Sequence, residues 1–196
     1  MTQSLAASHP IGLIVEDDLR RTRLTVFFRL LLAIPLAIWI SIWGVAVYIA
    51  VVIAWFAALI TGRVPDGLHG FIARYPRAAT HLTAYVFLLA DPWPPFGGSP
   101  GSYPVDLRVD RAAPQPRLTV LVRVLLAIPA LLLVYAFRVV NQLIAFVGWF
   151  FCLATGQMHE GMRDVSAWML RYEVQTYGYI CLLTSRYPSF AGAPTA

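Results

Sequence analysis

Two stretches of this chain carry almost no polar side chain. No charged residue lies between Arg29 and Arg63, a run longer than the roughly 20 residues that one bilayer crossing requires. A second long apolar run follows Arg123 and is broken by a single charge, Arg138. Ahead of each run the pattern changes to strict alternation: Ile11, Leu13 and Val15 before the first, and Val105, Leu107 and Val109 before the second. Period-two alternation over a few residues predicts a half-buried strand. One short strand is unstable alone, so the two are expected to pair with each other or with a partner chain.

The similarity of the two halves is literal. RLTVFFRLLLAIP (Arg23 to Pro35) recurs as RLTVLVRVLLAIP (Arg117 to Pro129), an offset of 94. The same offset carries Trp55 onto Trp149, Thr61-Gly62 onto Thr155-Gly156, Gly67 onto Gly161, Tyr85 onto Tyr179, Leu88-Leu89 onto Leu182-Leu183 and Phe96 onto Phe190, with no gap. Apolar composition alone would produce scattered Leu and Val matches, not aligned Arg, Pro, Trp, Gly and Tyr. The chain is a tandem duplication, with repeat 1 over residues 9–96, repeat 2 over 103–190, and tails at 1–8 and 191–196 expected to be flexible.

Each repeat then reads as four parts: the strand, a long apolar helix, a polar break and a less apolar return helix. Pro35 and Pro129 each remove a backbone donor. A kink there predicts an oblique interfacial stretch over 24–34 and a spanning helix over about 36–60, with the equivalent at about 130–154. A hairpin near Ser41-Gly44 would be the rival reading. The matching Tyr135-Arg138 has no Gly or Pro to make such a turn. Gly62 and Gly156 stand where a helix C-cap glycine belongs. The return helices are expected over about 68–90 and 161–184, ending in Pro-aromatic segments suited to a headgroup zone.

Composition supports a membrane rather than an aqueous setting. Of 196 residues, 59% are hydrophobic and 13% charged, and the mean hydropathy is +0.67. A soluble domain carries about a quarter charged residues. No cleavable leader is expected, because residues 1–10 are polar and the first apolar run is too long for one. All 15 basic residues are Arg. That fits either codon bias or a use for the bidentate guanidinium on lipid phosphates. Cys152 and Cys181 sit in apolar runs without CxxC spacing and read as packing residues.

The expected architecture is therefore an all-α integral membrane protein of about four transmembrane helices, in two parallel tandem repeats, each preceded by a short cytoplasmic β-strand. Counting Arg20, Arg21, Arg23, Arg29, Arg108, Arg111, Arg117, Arg123 and Arg186 on the strand-bearing side puts both termini in the cytoplasm of a multi-pass cell-membrane protein.

The segments YPVDLRVD (Tyr103–Asp110), RLLLAIP (Arg29–Pro35), WFAALITGRVPDGL (Trp55–Leu68) and TAYVFLLADPWPPF (Thr83–Phe96) resemble a bacterial membrane-protein family of unknown function, DUF4389, present here as two tandem copies. The resemblance covers nearly the whole chain and implies a multipass protein, with no activity, substrate or catalytic residue attached. Repeat 2 departs from the pattern at Gln157-Met158-His159-Glu160.

Three groups could carry chemistry. Arg138, with Asn141 and Gln142 beside it, lies mid-helix where charge is expensive, and a return helix folding back antiparallel brings Glu173 within its reach. Their repeat-1 counterparts are Gly44, Val47, Tyr48 and Ala79. The cluster reads either as a polar pathway or ligand site between helices, or as a buried ion pair that fixes packing or a partner interface. Arg23, Arg29, Arg117 and Arg123 at the helix starts read as lipid-headgroup contacts or as topology signals. His69, His81 and His159-Glu160 lack HExxH or paired-carboxylate spacing, so no metal, no cofactor and no catalytic residue is expected. Nor do the arginines form a nucleic-acid face. The expected role is non-enzymatic: a scaffold or accessory subunit binding membrane lipids, other membrane proteins or further copies of itself. A small transporter or channel using Arg138, Asn141, Gln142 and Glu173 is the alternative.

Overall fold

The computed structural model describes residues 9–191. The tails expected at 1–8 and 191–196 fall outside that range, apart from Ala191. In chain order the elements are β1 (Ile11–Val15), α1 (Arg23–Thr61), α2 (Asp66–Val86), β2 (Val105–Val109), α3 (Arg117–Thr155) and α4 (Glu160–Ile180). Both strands fall on the alternating segments. They form one two-stranded antiparallel sheet in which Leu13 faces Leu107 and Ile11 faces Val109.

Each long apolar run is a single helix of 39 residues, continuous through Pro35 or Pro129. The expected division into an interfacial stretch at 24–34 and a spanning helix at 36–60 is thus replaced by one unbroken element. A proline costs an internal helix one hydrogen bond, and here the flanking turns carry the helix past it. The helices end where the glycines predict: Gly62 and Gly156 take left-handed φ values of 78° and 76° and donate to the carbonyls of Ala58 and Cys152. The return helices stop four residues short of the expected ends. Leu88 and Leu182 turn into the left-handed region, with φ of 63° and 62°.

The relation between the repeats corrects the sequence reading. They are antiparallel, not parallel. The Trp55 indole N–H donates to the Val120 carbonyl (3.0 Å), and the equivalent Trp149 donates to Val26 (2.9 Å). Arg23 reaches the Ala154 carbonyl and Arg117 the Ile60 carbonyl. The Arg21 and Gln115 amides donate to Gly156 and Gly62. In every pair the start of one long helix meets the end of the other, and the two bonds differ by the repeat offset. A pseudo-two-fold axis therefore relates the copies. It runs between Leu13 and Leu107, which are each other's equivalents and face each other in the sheet. The arginines at the start of α1 and those at the start of α3 consequently lie at opposite ends of the molecule.

Packing follows three layers along this axis. β1 rests on α4 and β2 on α2, so each strand lies against the other copy's short helix. α2 in turn packs on α1 and α4 on α3. The short helices are covered from both sides, and most of α4 from Ser166 to Tyr179 is buried despite its polar composition. The long helices bury only a narrow stripe, in α1 Val26, Ala33, Leu36, Ile40, Val47, Ala50, Ala54 and Ala58. Spacings of three and four residues put these on one face. Most of the remaining surface of each long helix is exposed and apolar, with Arg138 and Gln142 of α3 among the exceptions.

Candidate functional site at the pseudo-two-fold axis

The middle layer brings α2 and α4 together on the axis. A cleft of about 260 Å³ opens there, lined by Pro76, Ala79, Thr80 and Thr83 of α2 and by their equivalents Leu170, Glu173, Val174 and Tyr177 of α4. Arg138 reaches into it from α3. Its Nε and Nη2 donate to the same carboxylate oxygen of Glu173, at 2.9 and 2.7 Å, and its guanidinium carbon lies 6.0 Å from the Tyr177 ring centre. Glu173 is buried and Arg138 half-exposed. Sequence spacing put Glu173 within reach of Arg138 on an antiparallel return helix, and in the structure the two side chains are in contact. Across the axis stands Ala79, and the counterpart of Arg138 is Gly44, over which the Tyr75 hydroxyl closes. The charged groups of the cleft belong to repeat 2 alone.

The rest of the expected cluster separates from this pair. Gln142 lines a different, apolar cavity of about 480 Å³ between the start of α1, the end of α2 and α3, with Arg29, Leu30, Phe146 and Trp149. Asn141 is buried, and neither its amide nitrogen nor its oxygen has a partner among the described residues. Arg171, two residues before Glu173 on α4, was not part of that expectation and donates to the carbonyls of Phe190 and Ala191.

Arg29 and Arg123 are 2% and 1% exposed, which removes them from lipid headgroups. Each instead collects one carbonyl from the last turn of a short helix and one from the segment just beyond it. Arg29 Nη1 donates to Tyr85 and Ala90, and Arg123 Nη1 to Tyr179 and Thr184. Each guanidinium also stacks 4.5 Å from the centre of a tyrosine ring, Tyr85 or Tyr179. The remaining partners differ: Arg29 Nη2 donates to Asp91 (2.8 Å), whereas Arg123 Nη2 donates to the neutral Gln115 Oε1. Arg23 and Arg117 stay exposed while bonding the ends of the opposite long helix.

A second polar group, missed by sequence reasoning, lies between α2 and the sheet. His81 Nε2 donates to Asp106 (3.0 Å), whose carboxylate also accepts from the backbone N–H of Gly101 and Leu107 and lies 3.4 Å from Arg77 Nε. Arg77 bonds the Leu107 and Gly98 carbonyls. Burial works against the Asp106 carboxylate, but the His81 and backbone hydrogen bonds outweigh it and hold its pKa below the usual carboxylate range. Tyr103, stacked 5.0 Å from His81, is pushed well above the usual phenol value by burial. The equivalents in repeat 2 are Gln175, Gly12, Arg171 and His9, so this ionic group also belongs to one side only. The signal was faint, since Asp106 is 25 residues from His81 and belongs to the other repeat's strand. His69 donates to the Leu183 carbonyl and His159 caps α4 by accepting from Gly161. Among the described residues no cluster of His, Cys, Asp and Glu has the makings of a metal site.

The chain matches one family twice, a domain of unknown function (DUF4389), over residues 23–97 and 117–192. No curated protein and no solved structure shows significant similarity to it.

Proposed function

Taking this chain as a member of the DUF4389 family, built from two tandem copies of that domain, we propose that it is a membrane-embedded, non-enzymatic scaffold or accessory subunit of the cell membrane, binding lipids, other membrane proteins or further copies of itself. The observation that carries this reading is the exposure of α1 and α3. Both are long and apolar enough to span a membrane, and only 22% and 28% of their most apolar stretches are buried inside the molecule. The core helix of a soluble protein would be covered. Among the described residues, α2 and α4 lack that apolar length, so the four crossings expected from hydropathy reduce to two candidate spans.

The direct test is extraction. The chain should stay in the membrane pellet through alkaline carbonate and leave it only in detergent, and release by carbonate would sink the proposal. Photo-crosslinkers at Ile42 and Leu143, both outward-facing, then report whether lipid or protein covers the helices.

The transporter alternative draws its support from the Arg138–Glu173 cleft. Asn141 and Gln142 do not line that cleft, which leaves a pathway two polar residues poorer than hydropathy suggested. Arg138→Leu with Glu173→Leu separates the two roles. Loss of a flux with assembly intact favours transport, and loss of a co-purifying partner favours the scaffold.

A further inference from the structure

We infer that α1 and α3 lie along a single leaflet of the membrane, with the pseudo-two-fold axis parallel to the membrane normal and the β1–β2 sheet in water. The occupant of the exposed helix face is then the acyl chains of that one leaflet. The inference rests on the membrane reading above and names the surface through which it operates.

The axis threads all three layers. It passes first between Leu13 and Leu107 of the sheet, then between the α2 and α4 equivalents Ala79 and Glu173, then between the midpoints of α1 and α3. The layers are stacked along it, so only two orientations respect the symmetry. If the axis lies in the membrane plane, α1 and α3 cross the bilayer in opposite directions and the sheet sits at mid-depth on one flank. The exposed Glu16, Asp18, Arg108 and Asp110 that border the sheet would then face hydrocarbon, where charge is costly.

If the axis lies along the normal, this conflict vanishes. The sheet and its charges face water, α2 and α4 form the covered middle, and α1 and α3 lie flat beneath. Helix length supports the same choice. At a rise of ~1.5 Å per residue each 39-residue helix is about 58 Å long, roughly twice the ~30 Å hydrocarbon core. Yet apolar exposure does not stop at the length of one crossing. It continues from Leu24 to Ile60 in α1 and from Leu118 to Phe151 in α3, as a face immersed along its whole length requires. The exposed arginines Arg20, Arg23, Arg63 and Arg117 gather at the helix ends, at the rim where anionic headgroups would meet them. Arg138, the one charge in the middle of α3, is paired with Glu173 of α4.

Single-cysteine labelling of the full chain in intact spheroplasts and in inverted membrane vesicles tests the arrangement. Arg63→Cys and Glu160→Cys mark opposite ends of the long helices, and Asp110→Cys marks the sheet. All three positions are exposed, and the unaltered protein, whose Cys152 is buried and Cys181 partly so, gives the baseline. The expected result is that a membrane-impermeant maleimide modifies all three from one side and none from the other. Reaction of Arg63→Cys and Glu160→Cys from opposite sides would establish inverted crossings and overturn the inference. Reaction of those two from one side and Asp110→Cys from the other would establish parallel crossings and overturn it equally. Oriented circular dichroism in aligned phosphatidylcholine–phosphatidylglycerol bilayers gives an independent reading, with helix axes in the plane expected and axes along the normal fatal to it. Failure of the membrane proposal itself looks different, because the chain would then be missing from the membrane fraction before any labelling begins.

Discussion

Repeat 1 and repeat 2 make the same contacts to backbone and different contacts to side chains. Arg21 in the first and Gln115 in the second donate to equivalent carbonyls, Leu88 and Leu182. Arg29 and Arg123 reach equivalent pairs of carbonyls, and Trp55 and Trp149 cross to equivalent residues of the opposite helix. Where the acceptor is a side chain the equivalence ends: Asp91 is replaced by Gln115 as the arginine's partner, Ala79 by Glu173, and Gly12 by Asp106. A main-chain carbonyl is present whatever residue occupies the position, so bonds aimed at it survive substitution of the acceptor. A side-chain partner can be lost in one step. The scaffold is therefore conserved between the copies through the backbone, and divergence collects in the side-chain partners.

The sharpest way to break this comparison is to remove the shared arginines. Arg29→Met and Arg123→Met each leave the Ala90 or Thr184 carbonyl without its arginine donor, take one donor from Tyr85 or Tyr179 and remove a cation–aromatic contact, and each should cost about 3 kcal/mol in detergent unfolding. Similar losses from both copies are expected despite their different outer partners. A mild effect at Arg123 would mean that Asp91, not the carbonyls, gives the site its strength. The Arg138–Glu173 pair should behave in the opposite manner. Glu173→Leu alone strands a guanidinium and should lose about 2 kcal/mol, discounted because Arg138 is half-exposed. Adding Arg138→Leu makes repeat 2 apolar there, like repeat 1, and should return stability to within about 1 kcal/mol of the starting protein. A double variant worse than the single would show that the pair holds the fold together.

The sheet-side group predicts a pH effect. Asp106 has a folded pKa below its unfolded one, so its contribution is complete above the ordinary carboxylate range and disappears as pH falls through the folded value. Asp106→Asn should cost about 1–2 kcal/mol at neutral pH and flatten the acid limb of the stability profile. The smallest effects belong to the symmetric caps. Gly62→Ala and Gly156→Ala should each lose about 1 kcal/mol by left-handed strain alone. At Gly62 no atom lies near a new methyl, and at Gly156 the nearest is 3.8 Å away. A marked inequality between them would indicate that the two ends do not have equivalent surroundings.

Much of this organisation is legible in the sequence because it is local. The offset of 94, the alternation at Leu13 and Leu107, the capping glycines and the reach from Arg138 to Glu173 all follow from spacing along one element or one hairpin. The direction of one repeat relative to the other is not local. It is decided by which ends of α1 and α3 meet, and nothing in a single repeat encodes that. Hydropathy also misjudged the return helices, since a helix covered by a sheet on one side and by apolar helices on the other can carry His81, Glu173 and Gln175 without facing lipid. Arg29 and Arg123 were misread for a related reason. An arginine at the head of an apolar run suggests a headgroup contact, whereas Tyr85 and Tyr179, repeating at the same offset, were the sign of a buried cation–aromatic site.

The placement of each strand on the other copy's short helix has a consequence for ancestry. It is a domain swap within one polypeptide: neither half can cover its own middle layer, and each donates its arm to the other. A strand that faces its own equivalent at Leu13 is self-complementary, so a lone copy would have to assemble as a two-fold dimer to close the same interface. The duplicated chain is in this sense a tethered homodimer. Tethering releases it from a rule that binds any true homodimer, in which an acid placed beside the axis must face its twin. Glu173 can face Ala79 only because the two protomers became one chain and were free to differ.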